Sequence, residues 1–114
     1  MDYLFKKWNE IKAKLKDKYL FIFLDFDGTL IPIAATPEKA VLPGSTKKLL
    51  EKISKSQRLK MAFISGRALD NIEQKIGLRD VIYSGNHGLE IEGPGIKFRP
   101  LVPPGYRKVL ERIK

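Results

Sequence analysis

The stretch Tyr19-Leu20-Phe21-Ile22-Phe23-Leu24-Asp25-Phe26-Asp27-Gly28-Thr29-Leu30 constrains this chain more than any other. Six apolar residues run unbroken into two carboxylates set one residue apart, and glycine and threonine follow at once. A continuous apolar run of that length predicts a strand buried on both faces, as at the centre of a parallel sheet. Acids at the carboxyl end of such a strand cost desolvation free energy unless a partner offsets it. In open α/β sheets that end is where ligands bind. An acidic turn after a strand needs only Asp-Gly chemistry, not acids at i and i+2 plus a threonine. By average residue usage the five-residue pattern is roughly a one-in-a-thousand chance in a chain of this size.

The 114 residues hold one modest domain, or part of a larger one. There is no cysteine, so disulfides and thiolate metal sites are excluded, as suits a reducing cytoplasm. No apolar run reaches the roughly 18–20 residues of a membrane span, and lysines interrupt the apolar residues of the amino terminus, unlike a signal peptide. The net charge of +9 is concentrated at the two ends of the chain. Basic residues interleaved with aromatics along one face, or a docking motif, would mark a nucleic-acid binder. Neither occurs, and a positive balance also suits an enzyme acting on a phosphate ester. No nucleic acid and no membrane are expected as partners, the small-molecule sugar phosphate being what the resemblance described below implies; oligomeric state is left open.

Along the chain, residues 1–18 predict an amphipathic helix whose stripe of Leu4, Trp8, Ile11 and Leu15 packs on the domain. Residues 31–44 contain three prolines and read as a loop. A helix starting near Ser45 or Thr46 buries Leu49, Leu50 and Ile53. A second strand at 59–64 ends on Ser65-Gly66-Arg67. The next helix carries Leu69, Ile72 and Ile76 and stops at Gly77. A third strand, Asp80-Val81-Ile82-Tyr83, ends at Ser84-Gly85-Asn86-His87-Gly88. Strand, helix, strand, helix, strand implies right-handed crossovers and a Rossmann-like, parallel, doubly wound α/β sheet. The alternation in Leu89-Glu90-Ile91-Glu92 and Ile96-Lys97-Phe98-Arg99 around Gly93-Pro94-Gly95 then predicts a β-hairpin. A last helix follows Pro103-Pro104-Gly105 with Tyr106, Val109, Leu110 and Ile113 as its stripe. The chain stops inside that stripe without a cap, so it is expected to be the amino-terminal part of a longer protein.

Asp25 at a strand end, beside a metal, can attack phosphorus and form an aspartyl-phosphate. Mg²⁺ takes hard oxygen ligands and commonly sits between one or two carboxylates and phosphate. If the strand geometry persists, Asp27 leaves on the same face as Asp25. From there it can protonate the leaving oxygen and later activate water. Gly28 allows a sharp turn that brings amide donors near phosphoryl oxygens, and Thr29 adds a hydroxyl. Ser65 alone reads equally as a phosphate ligand or a helix N-cap.

This motif and its strand resemble the first motif of the haloacid dehalogenase phosphatase superfamily. The resemblance implies that Asp25 is the nucleophile and Asp27 the general acid/base, both contributing to Mg²⁺, the second through its backbone carbonyl. It also implies that the Ser65 hydroxyl binds phosphate. Ser65-Gly66-Arg67, Gly85-Asn86-His87-Gly88-Leu89-Glu90 and the proline-containing loop resemble the trehalose-6-phosphate phosphatases within that superfamily, from about Tyr19 to Glu90. Their substrate contacts would fall on Gly28, Thr29, Ser65, Gly66, Arg67, His87 and Glu90. The expected organisation is an amphipathic helix at 1–18, the first half of a haloacid dehalogenase core at 19–88, and the start of an α/β cap at 89–114. A lid of that kind closes over the sugar and excludes water. The superfamily also uses a later lysine and an acidic pair to finish the phosphate and Mg²⁺ sites, and nothing after Glu90 supplies them. Two alternatives stay open: another sugar ester, such as sucrose phosphate or a mannosyl-phosphoglycerate, or a non-catalytic fragment that binds a partner.

Overall fold

The computed structural model describes residues 3–100 and 104–113. A 3-10 turn at Leu4–Lys7 leads into α1 (Trp8–Leu15), and β1 (Leu20–Asp25) follows. The proline-rich loop contains a single 3-10 turn, Pro37–Lys39, before α2 (Gly44–Ser54). Then come β2 (Leu59–Ile64), α3 (Leu69–Ile76), β3 (Ile82–Gly85), a 3-10 turn at Asn86–Gly88, β4 (Glu90–Gly93), β5 (Ile96–Phe98) and α4 (Pro104–Ile113). The strands form one sheet in the order β1-β2-β3-β4-β5. β1, β2 and β3 are parallel, and the β4–β5 hairpin joins β3 antiparallel, so it continues the sheet of the core. This is the expected α/β order, with β3 two residues later than predicted.

The core lies on one face of the sheet, where Met61, Phe63 and Tyr83 meet Leu50 of α2 and Leu69, Ile72 and Ile76 of α3. Ile72 and Ile76 have no accessible surface, and burying each such side chain is worth about 1.5–3 kcal/mol. α3 ends as its sequence requires. Gly77 takes φ 65°, a left-handed conformation natural to glycine, and its N–H donates to the Glu73 carbonyl at 2.8 Å. At the foot of the helix the Tyr83 hydroxyl donates to the Leu78 carbonyl (2.7 Å) and accepts from the Leu78 N–H (3.0 Å). Burial pushes this phenol up to about 12.

Three expectations about burial change. β1 is not covered on both faces: Leu20, Ile22 and Leu24 are half-buried, while Phe21 and Phe23 are exposed. The reason is position, since β1 is an edge strand and no described element lies over that face. The amino-terminal helix is interrupted at Lys7, and neither part buries a residue; Leu4 and Trp8 of the expected stripe are exposed. Leu49 points away from the sheet, leaving Leu50 and Ile53 as the packed residues of α2. The stripe of α4 has no expected partner in this chain, and Tyr106, Val109 and Ile113 are indeed exposed; the side chain of Leu110 lies outside the described part. Among the described residues no helix is long and apolar enough to cross a membrane.

Candidate active site

The carboxyl ends of β1 and β2 define the site. Asp25 is the last residue of β1 and pairs in register with Ile64, the last of β2. Ser65 follows, 3% exposed, its N–H donating to the Ser84 carbonyl of β3 at 2.9 Å. Three parallel strands thus end together around one serine hydroxyl. That hydroxyl oxygen accepts from the Arg67 N–H at 3.0 Å, an i to i+2 turn contact rather than a cap on α3.

After Asp25 the chain turns at once. Phe26 is fully buried, and its carbonyl accepts from the Leu30 and Ile31 amides. Gly28 adopts φ 83°, and its own N–H donates to the Ile31 carbonyl at 2.8 Å, so this amide is already engaged. Thr29 is exposed on the same turn.

Asp27 is held by Arg67. The guanidinium donates from Nε to Oδ2 (2.8 Å) and from Nη2 to Oδ1 (2.7 Å), the bidentate geometry of strong charge-assisted pairs. The Arg67 hydrogen bond, with its charge, holds the Asp27 carboxyl below the usual carboxylate range. Nη1 of Arg67 also donates to the Pro37 carbonyl (3.1 Å) and to Asn71 Oδ1 (3.2 Å), and the guanidinium lies 5.5 Å from the centre of the Phe26 ring. One side chain therefore joins the first acid loop, the proline loop and the first turn of α3. Lys75 Nζ adds a second tie to that loop through the Ala40 carbonyl (2.8 Å).

His87 closes the arrangement. Asn86, His87 and Gly88 all have positive φ (48°, 57° and 90°), uncommon for the first two. Two backbone bonds hold this turn against residues 65–67: Asn86 N–H to the Arg67 carbonyl (2.8 Å) and His87 N–H to the Ser65 carbonyl (3.2 Å). The imidazole lies so close to Gly66 that a Cβ there would come within 2.5 Å of His87 Cε1. Glycine at 66 makes room for the ring.

Two clefts share Gly66 and His87 as a wall. One, of about 560 Å³, contains Asp25, Ser65, Phe23 and Ile64; the other, of about 410 Å³, contains Asp27, Arg67, Thr36 and Pro37. The expected residues Asp25, Asp27, Ser65, Gly66, Arg67 and His87 are thus brought together. Glu90 stands apart, opposite Gly85 in the β3–β4 ladder and outside the lining of both clefts. A larger cleft of about 630 Å³ lies at the other end of the strands, bordered by Lys12, Lys16, Lys18 and Arg58. It faces away from the acids. The Arg67–Asp27 pair and the Asn71 contact were not foreseen, although Asn71 sits four residues from Arg67, the spacing of helical neighbours. Among the described residues no group of three or more acidic or histidine side chains could hold a metal.

An acid pair and a buried serine at the carboxyl ends of parallel strands define the class first: an α/β protein with the fold of the haloacid dehalogenase-like hydrolases. One such structure, from B. subtilis, superposes with a TM-score of 0.54 at 18% identity, covering 81% of this chain and 31% of that one. The pattern that defines the Trehalose-phosphatase family matches residues 23–98, and the chain belongs to that family. A probable trehalose-phosphate phosphatase 4 of Oryza sativa subsp. japonica is 32% identical over 119 residues, covering 95% of this chain and 32% of the relative. The C-terminal domain of a C. albicans trehalose-6-phosphate phosphatase superposes with a TM-score of 0.75 at 20% identity, covering 94% and 38%. The chain spans about a third of the length of the relatives it matches.

Proposed function

We propose that this chain carries the nucleophile half of a Mg²⁺-dependent phosphatase that hydrolyses trehalose 6-phosphate to trehalose and phosphate in a reducing cytoplasm. The observation that carries the reading is the juxtaposition of Asp25 and Ser65 in one cleft, with Asp27 two residues beyond Asp25. In this reading Asp25 Oδ attacks phosphorus and the bond from phosphorus to the sugar oxygen breaks. The leaving oxygen takes a proton from Asp27, and an aspartyl-phosphate remains. Asp27 then accepts a proton from water, the water oxygen attacks phosphorus, and Asp25 is released as a carboxylate with inorganic phosphate. The Ser65 hydroxyl, whose oxygen already accepts from Arg67 N–H, keeps its own proton to donate to a phosphoryl oxygen. His87, Gly66 and Arg67 border the space left for the rest of the substrate, and the strand end at Glu90 and the hairpin after it form the root of a cap.

Arg67 shapes the proton chemistry. Paired with it, Asp27 is ionised at neutral pH, the state a base needs and an acid does not. An arriving phosphate dianion offers the guanidinium a second anion, and loosening the pair frees Asp27 to carry a proton. The donor types fit Mg²⁺, because Asp25 offers a carboxylate and Asp27 a backbone carbonyl, both hard oxygens. Two ligands do not fill its shell, and the Asp27 carboxylate is already committed to Arg67. Bound Mg²⁺ would neutralise charge between the nucleophile and the phosphate.

The purified 114-residue chain should therefore release little or no phosphate from trehalose 6-phosphate in Mg²⁺; clear turnover would sink this reading. The substrate is tested on a protein with the complete family fold, by comparing rates on trehalose 6-phosphate, sucrose phosphate and a mannosyl-phosphoglycerate. Trehalose 6-phosphate is expected to be fastest.

A further inference from the structure

The cleft of about 630 Å³ at the base of the strands takes no part in the site. Leu20 and Leu59, which open β1 and β2, line it together with Leu15, at the opposite strand ends from Asp25 and Ile64. One wall is α1, where Asn9, Lys12, Ala13 and Lys16 follow the i, i+3, i+4, i+7 spacing of a single helix face. The other is the turn between α2 and β2, through Ser56 and Arg58. All three leucines are only half-buried, and they give the cleft an apolar floor.

The charge around that floor is of one sign. Lys12, Lys16, Lys18 and Arg58 border the cleft, and no carboxylate does. Among the described residues Lys12, Lys16 and Lys18 make no ion pair, whereas Lys14, on another face of α1, pairs with Glu10 at 3.5 Å. Asp17 reaches Arg58 Nη1 only at 3.9 Å and is 85% exposed, a contact of little strength in water. Arg58 is nevertheless held in place. Its Nη2 donates to the Lys18 carbonyl at 3.2 Å, and its own carbonyl accepts from the Leu20 N–H at 2.8 Å. A guanidinium fixed in this way keeps donors for an anion and gives up little freedom when one binds. Four like charges around an apolar floor repel one another, and an anion relieves that repulsion.

We propose that this cleft binds a small amphipathic anion, a single carboxylate or phosphate head on an apolar body. The head sits among the three lysines and Arg58, and the body covers Leu15, Leu20 and Leu59. The volume of about 630 Å³ falls among those of small-molecule sites, roughly 300–1,000 Å³. Neither half of such a ligand suffices. A bare phosphate leaves the leucines in water, and exposed lysines alone hold an anion weakly. A neutral apolar molecule leaves four charges uncompensated. The cleft is separate from the one that holds Asp25, so the inference does not depend on the proposed reaction.

The test titrates the ¹⁵N-labelled 114-residue chain with decanoate and with decyl phosphate, each below its micelle concentration. Inorganic phosphate and decyltrimethylammonium are the comparison probes. At least one of the two anionic amphiphiles should saturate, shifting the amides of Lys16, Leu20, Ser56 and Leu59 and leaving those of Ser65 and His87 in place. The tighter of the two identifies the preferred head. Neither comparison probe should saturate. The double variant Lys12→Glu, Lys16→Glu should weaken binding about tenfold or more, with far-UV circular dichroism unaltered because both side chains are exposed. Lys18→Glu, outside the helix, is a second variant and should weaken it in the same direction. Raising sodium chloride from about 0.05 to 0.5 M should also weaken binding, because screening acts on the charges; attachment to apolar surface alone would not weaken. Absence of saturable binding by both anions would overturn the proposal. So would equal binding of decyltrimethylammonium, shifts at the exposed Phe23 and Phe98 in place of the cleft, or an affinity that neither variant changes.

Discussion

Arg67 and Asp27 are forty residues apart in sequence and joined by two hydrogen bonds, so a single substitution separates the acid's chemistry from its fold. Replacing Arg67 by alanine should return the Asp27 carboxyl toward the ordinary range, read by ¹³C NMR titration. The sign follows from the direction of the shift. A carboxyl lowered in the folded state stabilises the fold above its unfolded value near about pH 4, and that contribution disappears as pH falls through the lowered value. In urea titrations Arg67→Ala should therefore cost about 1–2 kcal/mol at neutral pH, a range held down by the partial exposure of Asp27. The difference from wild type should shrink at the acid end. Tyr83 gives the opposite limb. Its phenol is raised to about 12, so its stabilisation is complete below about pH 10 and is lost as pH climbs toward 12. Tyr83→Phe should flatten that alkaline loss while costing about 1–3 kcal/mol at neutral pH, because the Leu78 N–H and carbonyl lose their partner. Asp25, Asp27 and Ser65 were legible in the sequence because each ends or follows an apolar run. The tie from Arg67 to Asp27 was not, since no local pattern reports a contact made through tertiary folding.

At the scale of elements, the period of α3 gave its three buried residues and Gly77 gave its end, because propensity, periodicity and capping agree there. β1 misled in burial, though not in type. A run of apolar residues reports what a strand is made to contact, and among the described residues nothing covers Phe21 and Phe23 on one side. The amino-terminal helix misled in a similar way: Leu4 and Trp8 of its stripe are exposed and Ile11 and Leu15 only half-buried. Gly85 was read as part of a loop motif and proves to be a packing site within β3: a Cβ there would lie 2.6 Å from the Leu69 N and 2.7 Å from its Cα. Backbone cannot step aside as a side chain can. Gly85→Ala should thus cost about 1–3 kcal/mol, seen as a lower midpoint in chemical denaturation. It should also displace the start of α3 from β3, visible as amide shifts at Leu69 and Asp70. An unchanged midpoint would contradict the assignment of Gly85 as a packing site.

The whole molecule is more extended than its length warrants. Its radius of gyration is 17.2 Å, against about 13 Å for a compact chain of this size. Trp8 of α1, Tyr106, Val109 and Ile113 of α4, and Phe21 and Phe23 of β1 stay exposed, while the core sits between the far side of the sheet, α2, α3 and the loops that join them. The same asymmetry marks the site, where Asp25, Asp27 and Ser65, the proposed nucleophile, acid/base and phosphate hydroxyl, converge while the described residues offer few ligands for the proposed Mg²⁺. Phosphate release from trehalose 6-phosphate in Mg²⁺ tests this most directly. The protein to assay is a chimera in which this chain replaces the matching part of the C. albicans domain. Release by the chimera, its abolition by Asp25→Asn, and its absence from the 114-residue chain alone are the predicted results. Release that persists in the Asp25→Asn chimera would contradict the account.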